Sequence, residues 1–306
     1  DFNWGTFHGK LVAELNRLEG IYRRLLDNSD VKIFDAFAKL MDPHTVELDG
    51  GERVTAKTIL IATGGTPTRP DIAGAELGIV SDDIFHVEAL PKTMLIIGGG
   101  YIASEFAGSR NGLGVKVSQW YRGEQILRGF DEEARNVVAE GMREKGVDLV
   151  TGANAASLEK TDAGIFVKGT HGVDATFDVV MFATGRRPLT DNLGLDAAGV
   201  ATGSSGQITV DKFSRTSVEN IYAVGDVTKR VELTPVAIRE GMAFVETVFN
   251  DNPTAVDHEL IPSAIFTQPE MGPVGLSEED AAQHEPIEVY PTSFRRMRTE
   301  IAARDG

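Results

Sequence analysis

No cysteine occurs anywhere in the 306 residues. That absence excludes a disulfide framework, a thiolate metal site and a cysteine nucleophile within this stretch. Cations are also scarce: 30 lysines and arginines stand against 46 aspartates and glutamates, for a formal net charge of −16. A surface so acidic repels nucleic acid and anionic lipid, so an anionic ligand must be captured by local arginines or helix ends. No uninterrupted apolar run is long enough to span a bilayer, and the first residues carry no signal-peptide pattern. We therefore expect no nucleic-acid partner, no membrane partner and a cytoplasmic location. An initiating methionine is missing as well. The chain starts at Asp1 and stops within charged sequence at Gly306, and reads as a piece of a longer protein.

What is present is ordinary for a globular protein, 42% hydrophobic and 25% charged, and long enough for two or more domains. One stretch organises the rest. Met94 to Ile97 is an apolar run that reads as a buried parallel strand, Gly98-Gly99-Gly100 turns the backbone, and Tyr101 to Asn111 continues with helical periodicity. In this GxGxxA pattern Gly98 permits the tight turn. Gly100 lets the main chain approach a pyrophosphate, and Ala103 lets helix and strand pack closely. The unpaired amides and the positive end of the helix dipole then face the phosphates. Val115 to Tyr121 supplies the second strand of a βαβ unit.

The end of that second strand selects the dinucleotide. An acidic residue there accepts hydrogen bonds from a ribose 2′-hydroxyl, whereas arginine holds a 2′-phosphate. This strand ends at Arg122, with Arg128 six residues later. Two arginines and no acid at the strand end point to NADPH, with Glu124 lying beyond the strand in the loop.

Along the rest of the chain, Asp1 to Asn28 predicts one amphipathic helix whose leucines face a core. Short strands are expected over Val31–Ala38, Thr45–Leu48 and Arg53–Ala56, with a hairpin at Asp49-Gly50-Gly51. Lys57 to Gly65 is a buried strand ending in Ala-Thr-Gly, and Pro67, Pro70 and Gly74 mark a crossover. Asp131–Lys145 predicts a helix and Val147–Val150 a strand. Ser157–Lys160, Gly164–Gly169 and Thr176–Phe182 predict a small antiparallel sheet, leading into a second Ala-Thr-Gly at Ala183. The repetition suggests two nucleotide-binding lobes sharing chain crossings. Ile221 to Asp226 is a short buried strand ending in Gly-Asp, Val236–Phe249 a helix entered through Pro235, and Ile261–Ala281 a strand, loop and capped helix start.

Taken in order, ATGG at Ala62, IGGGYIASE at Ile97, LRGFD at Leu127, ATGRRP at Ala183, IYAVGD at Ile221, LTPVAI at Leu233 and FTQPEMGPVGLSE at Phe266 resemble the flavin-dependent disulfide reductases. Within them the sequence is most similar to the branch that reduces glutathione disulfide. The resemblance implies an α/β fold with two Rossmann-like (three-layer ββα) nucleotide-binding domains and the start of an α+β dimerisation domain. Residues 1–66 would be the C-terminal part of an FAD-binding domain, 67–190 an NADPH-binding domain, 191–258 the central segment of the FAD-binding domain, and 259–306 the start of the interface domain. The cofactors implied are FAD and NADPH, and the assembly a homodimer.

Residue by residue, the resemblance gives Tyr101 as the ring that covers the flavin until nicotinamide displaces it, and Glu105 as a carboxylate beside flavin and nicotinamide. Gly98, Gly100, Ala103, Arg122, Arg128 and Gly185 would bind NADPH. Thr63, Gly64, Arg186, Asp226, Leu233 and Thr234 would bind FAD, with the helix start near the flavin pyrimidine stabilising negative charge. Tyr22 would line the disulfide-substrate pocket. One departure bears on the substrate: Met242 stands where many glutathione-reducing members carry arginine, with Arg239 one turn earlier. The family's first FAD fingerprint, its redox cysteine pair and its C-terminal His-Glu pair have no counterpart here. Trypanothione, mercuric ion and a second pyridine nucleotide remain alternative acceptors, as does a nucleotide-binding module without turnover.

Overall fold

Asn3 opens the first helix, its Oδ1 accepting from the Thr6 amide at 2.8 Å, and α1 runs Trp4–Asn28 in a computed structural model that describes residues 2–292. The helix is where the periodicity places it. Its apolar stripe, however, is no core face: of its residues only Trp4 is buried, while Phe7, Leu15, Leu18, Leu25 and Leu26 are exposed. Periodicity fixes which side of a helix is apolar and not what lies against it. The helix is anchored at its start, where Trp4 Nε1 donates to the carbonyls of Val87 and Glu88 at 3.1 Å.

An antiparallel three-stranded sheet follows, β1 (Ala38–Leu40), β2 (Thr45–Leu48) and β3 (Arg53–Thr55). The hairpin falls at Asp49-Gly50-Gly51, with Gly51 at φ 83°. The strand expected over Val31–Ala38 does not form. Pairing starts at Ala38 opposite Leu48, and residues before Ala38 would have to pair with the turn. Next come β4 (Ile59–Ile61), β5 (Gly65–Pro67) and β6 (Ile79–Val80).

The nucleotide unit is β7 (Thr93–Ile97), α2 (Tyr101–Gly112), β8 (Lys116–Tyr121), α3 (Glu132–Glu144) and β9 (Asp148–Thr151). The chain then forms an antiparallel sheet of β10 (Ala155–Thr161), β11 (Gly164–Gly169) and β12 (Ala175–Phe177) before entering β13 (Val179–Phe182). The single strand expected over Thr176–Phe182 is thus two strands in two sheets. Asp178 makes the break, its Oδ2 accepting from the Lys92 and Thr93 amides at 2.8 Å each. The parallel sheet has the order β6-β13-β7-β8-β9, so β7 and its glycine turn sit in the middle. Ala103, Ala107, Val138, Ala139 and Met142 of the two helices pack on one face, and Leu158, Ile165 and Val167 of the antiparallel sheet pack on the other. Those are the three layers expected.

Strand β14 (Arg186–Pro188) pairs antiparallel with β5, which joins the two Ala-Thr-Gly crossings. Thr68 donates through both N and Oγ1 to the Gly185 carbonyl at 3.0 Å, and Thr184 Oγ1 donates to the Thr68 carbonyl at 3.1 Å. Helix α4 (Leu195–Ala198) and strand β15 (Ile221–Ala223), parallel to β4, build a further core with Leu40 and Ile61. Helix α5 (Thr234–Phe249) leaves the turn after β15. In the last expected strand only an Ile265–Met271 bridge forms, and both side chains enter the core beside α2 and α3. Helix α6 (Glu278–Ala281) follows, capped by Ser277. Of the segment assigned to an interface domain, residues 293–306 lie outside the described residues. Among the described residues no helix is long and apolar enough to cross a membrane.

Candidate dinucleotide and flavin site

The glycine turn is fixed by what crosses above it. Gly98 has φ 149°, and a Cβ there would stand 2.2 Å from the Ala183 carbonyl oxygen and 3.3 Å from the Ala103 Cβ. No side chain fits. Its amide donates to the Trp120 carbonyl at 2.9 Å, and the Ala183 amide donates to the Ile97 carbonyl at 2.8 Å, so three adjacent strand ends hold one turn. At Gly100 the reason for glycine is different. Its φ of −85° suits any residue, and nothing lies within 4 Å of a Cβ built there. The missing side chain leaves open space in front of α2, which begins with no side-chain cap. The free first-turn amides and the helix dipole therefore face that space.

The space is a cavity of 380 Å³ lined by Gly98, Gly99, Gly100, Tyr121, Arg122, Arg128, Asn154, Ala183, Thr184 and Gly185, among others. Both arginines are exposed, and neither has an ion-pair partner among the described residues. In a chain this acidic, two unpaired guanidiniums at one cavity mouth form a local anion trap. The loop carrying Arg128 is rigidly seated. Leu127 is fully buried at a left-handed φ of 58°, and its amide donates to the Gly99 carbonyl at 2.6 Å. Arg135 secures the same loop through the carbonyls of Ile126 at 2.7 Å and Gln125 at 2.9 Å.

A second cavity, of 150 Å³, shares Gly100, Ala183 and Gly185 with the first and continues to Tyr101, Ile102, Arg186 and Glu232. Burial, then Glu232 and Asp226, push the Tyr101 hydroxyl above the usual phenol range, with Arg186 opposing them. Burial, then Asp226, likewise raise the Glu232 carboxyl. Arg186 reaches the Gly65 carbonyl at 2.6 Å and lies 3.7 Å from Asp82. Glu105 is one helical turn beyond Tyr101. It accepts from the Phe266 amide at 3.0 Å and is near enough to raise the Tyr101 phenol a little.

On the far side of Tyr101, Asp226 sits in the turn after β15, close to the β5 backbone: a Cβ on Gly65 would be 3.4 Å from the Asp226 Cβ. Its half-buried carboxylate has no hydrogen-bond or ion-pair partner among the described residues, which fits a hydroxyl-bearing ligand chain. The turn is braced from below by Glu240, a buried residue of α5. Glu240 accepts from the Gly225 amide at 2.6 Å, from Arg230 at 2.8 Å and from His258 at 2.6 Å. Leu233 and Thr234 open α5 with no side-chain cap; Pro235 has no N–H and the Val236 amide donates to the Leu233 carbonyl at 3.0 Å, so the Thr234 amide is the donor left at this helix start. Thr63 Oγ1 donates to the Leu189 carbonyl at 2.7 Å, and Gly64, at φ 73°, accepts from the Leu189 amide at 2.9 Å.

A family model described as pyridine nucleotide-disulphide oxidoreductase matches residues 3–241. The chain belongs to that family. It is 46% identical over 304 residues to the glutathione reductase of Burkholderia cepacia, covering 99% of this chain and 68% of that protein. It is 40% identical over 315 residues to the trypanothione reductase of Leishmania donovani, covering 98% of this chain and 64% of that protein. Among solved structures, the HOCl-induced flavoprotein disulfide reductase RclA from Escherichia coli superposes with a TM-score of 0.87 at 25% identity, over 92% of this chain and 66% of that one. The chain therefore spans about two thirds of the length of these relatives.

Within this chain, Gly98, Gly100, Arg122, Arg128 and Gly185 come together around one cavity, and Tyr101 and Arg186 around its continuation. Ala103 lies beneath, fully buried against the turn. Tyr22 joins neither group: it is 68% exposed on α1 and lines neither cavity. Sequence reasoning missed four residues. Tyr121 lays its ring over Gly99, where a Cβ would approach within 2.3 Å, and Asn154 reaches the cavity from the loop after β9, where its amide donates to Thr170 Oγ1 at 2.9 Å. Glu232 had a usable signal, its adjacency to the Leu233-Thr234 helix start. Glu240 carried no mark that sets it apart in a helix that also holds Arg239 and Glu246.

Proposed function

We propose that this chain is the nucleotide-handling part of an NADPH-dependent, FAD-containing reductase of glutathione disulfide. The observation that carries the reading is the pair of unpaired guanidiniums, Arg122 and Arg128, at the mouth of a cavity that runs past the glycine turn to Tyr101. Arg122 and Arg128 hold a 2′-phosphate, Gly98 and Gly100 admit the pyrophosphate to the α2 amides, and Gly185 flanks the ribose beyond it. Tyr101 shields the cavity between nicotinamide and flavin from water, with Glu105 beside it. Asp226 accepts from the ribityl chain of FAD, Thr63, Gly64 and Arg186 line its approach, and the Leu233-Thr234 helix start faces its pyrimidine edge. When bound, FAD supplies the two-electron relay between the pyridine nucleotide and a dithiol.

Glutathione disulfide as substrate is supported by the reductase of Burkholderia cepacia at 46% identity. Met242, exposed on the outer face of α5, supports trypanothione disulfide as the second reading, since the arginine of many glutathione-reducing members is absent there. The division into four segments, the role of Tyr22, the homodimer and the cytoplasmic location belong to the same proposal.

The test uses the full-length protein. Arg122→Ala with Arg128→Ala is expected to weaken NADPH binding on the order of a hundredfold, from two lost charge-assisted contacts, and to leave NADH within about threefold. Equal losses for both nucleotides would overturn the assignment. Rates of NADPH oxidation with glutathione disulfide, trypanothione disulfide and mercuric ion then separate the substrates.

A further inference from the structure

Charge around the second cavity is lopsided. Tyr101 feels three carboxylates, Glu232, Asp226 and Glu105, against one guanidinium, Arg186. That guanidinium is already committed to the Gly65 carbonyl and to Asp82. Glu105 is likewise engaged by the Phe266 amide. Glu232 is different: it lines the cavity wall directly, and no hydrogen bond or ion pair among the described residues engages its carboxylate. Lys229 and Arg186 act on it only through space, and less than burial and Asp226 do.

The position of Glu232 along the ligand path follows from the proposed function, on which this inference rests. A dinucleotide with its 2′-phosphate at Arg122 and Arg128 and its pyrophosphate at the Gly98 turn has one direction left, through Gly100 and Gly185 into the second cavity. Its nicotinamide ring ends there, between Tyr101 and Glu232. The two redox forms of that ring differ by one positive charge. A carboxylate in a half-buried wall, where water screens poorly, distinguishes them by Coulomb attraction.

We infer that Glu232 is a redox-state-discriminating residue, a wall carboxylate that strengthens binding of the oxidised, cationic nicotinamide over the reduced, neutral one. It sits outside the phosphate-binding machinery, so its effect is confined to the ring end. This predicts a thermodynamic bias toward the oxidised dinucleotide, and hence toward giving up a hydride.

The experiment compares three ligands on the full-length protein and its Glu232→Gln variant by calorimetry. They are NADP⁺, tetrahydro-NADP, whose ring is neutral and donates no hydride, and 2′,5′-ADP, which fills only the phosphate end. Glu232→Gln is expected to weaken NADP⁺ about fivefold while tetrahydro-NADP and 2′,5′-ADP stay within about twofold. Unchanged binding of 2′,5′-ADP also shows that the variant is folded. Equal changes for NADP⁺ and tetrahydro-NADP, or no change in either, would overturn the role of Glu232. Failure of the unaltered protein to bind 2′,5′-ADP would instead overturn the dinucleotide reading beneath it.

Discussion

At the scale of single residues, Gly98 and Gly100 carry the same letter for unrelated reasons. Gly98 combines a φ of 149° with a neighbouring carbonyl 2.2 Å from any Cβ, so Gly98→Ala must both strain the backbone and part β7 from β13. We expect it to cost about 3 kcal/mol in urea unfolding, the sum of a disfavoured dihedral and an overpacked contact. Gly100→Ala meets open space at an ordinary φ and should leave stability within about 0.5 kcal/mol, its effect appearing in nucleotide affinity. The spacing of the motif made both glycines and the two arginines legible, because strand, turn and helix fix those positions locally. Asn154 and Tyr121 were not legible. Their approach to the turn is set by the contact of Asn154 with Thr170, sixteen residues on, and by a ring orientation, neither of which a local pattern records.

At the scale of elements, the turn after β15 and the start of α5 act as one unit, tied by a buried carboxylate. Glu240 joins the Gly225 amide, Arg230 and His258, and its side chain is 2% exposed. Removing it strands a buried amide and takes the shared partner from Arg230 and His258, so Glu240→Ala is expected to destabilise by about 3 kcal/mol. Glu240→Gln, which keeps an acceptor for the amide, should cost less than half of that. In both variants flavin retention should fall with the loosening of Asp226, measurable as the flavin-to-protein absorbance ratio. Retention unchanged alongside lost stability would separate Asp226 from the brace. Strand boundaries were legible wherever a glycine or a cap stops an element, and failed where a tertiary contact decides. Asp178 splits one apolar run into β12 and β13 by capping the Lys92 and Thr93 amides, an interaction 85 and 86 residues distant in sequence.

At the scale of the whole molecule, the two ligand sites differ in how much of each this chain contains. The proposed phosphate end of the dinucleotide cavity is drawn from one sheet and its flanking loops, between Pro70 and Gly185. The residues proposed to face the flavin come instead from three separated stretches, around Thr63, around Arg186, and from Asp226 to Thr234. Thr63 and Thr234 stand exposed. Large apolar faces are bare as well, Leu15, Leu18, Leu25 and Leu26 on α1 and Ile238, Met242, Val245 and Phe249 on α5. Contiguous apolar surface of this kind marks contact with further protein. The amphipathic pattern of α1 was legible from its sequence and its exposure was not, since a periodicity reports a face and never its neighbour. From this asymmetry the 306-residue chain, expressed alone, is expected to bind 2′,5′-ADP at its arginine pair yet release FAD during gel filtration. It should also bind a hydrophobic dye more strongly than the full-length protein does. Flavin held at one equivalent per chain through the column would mean that Asp226, Thr234 and Arg186 suffice for the site, and would overturn the expectation. Loss of 2′,5′-ADP binding in a chain whose circular dichroism remains folded would show that the phosphate end, too, depends on residues beyond these.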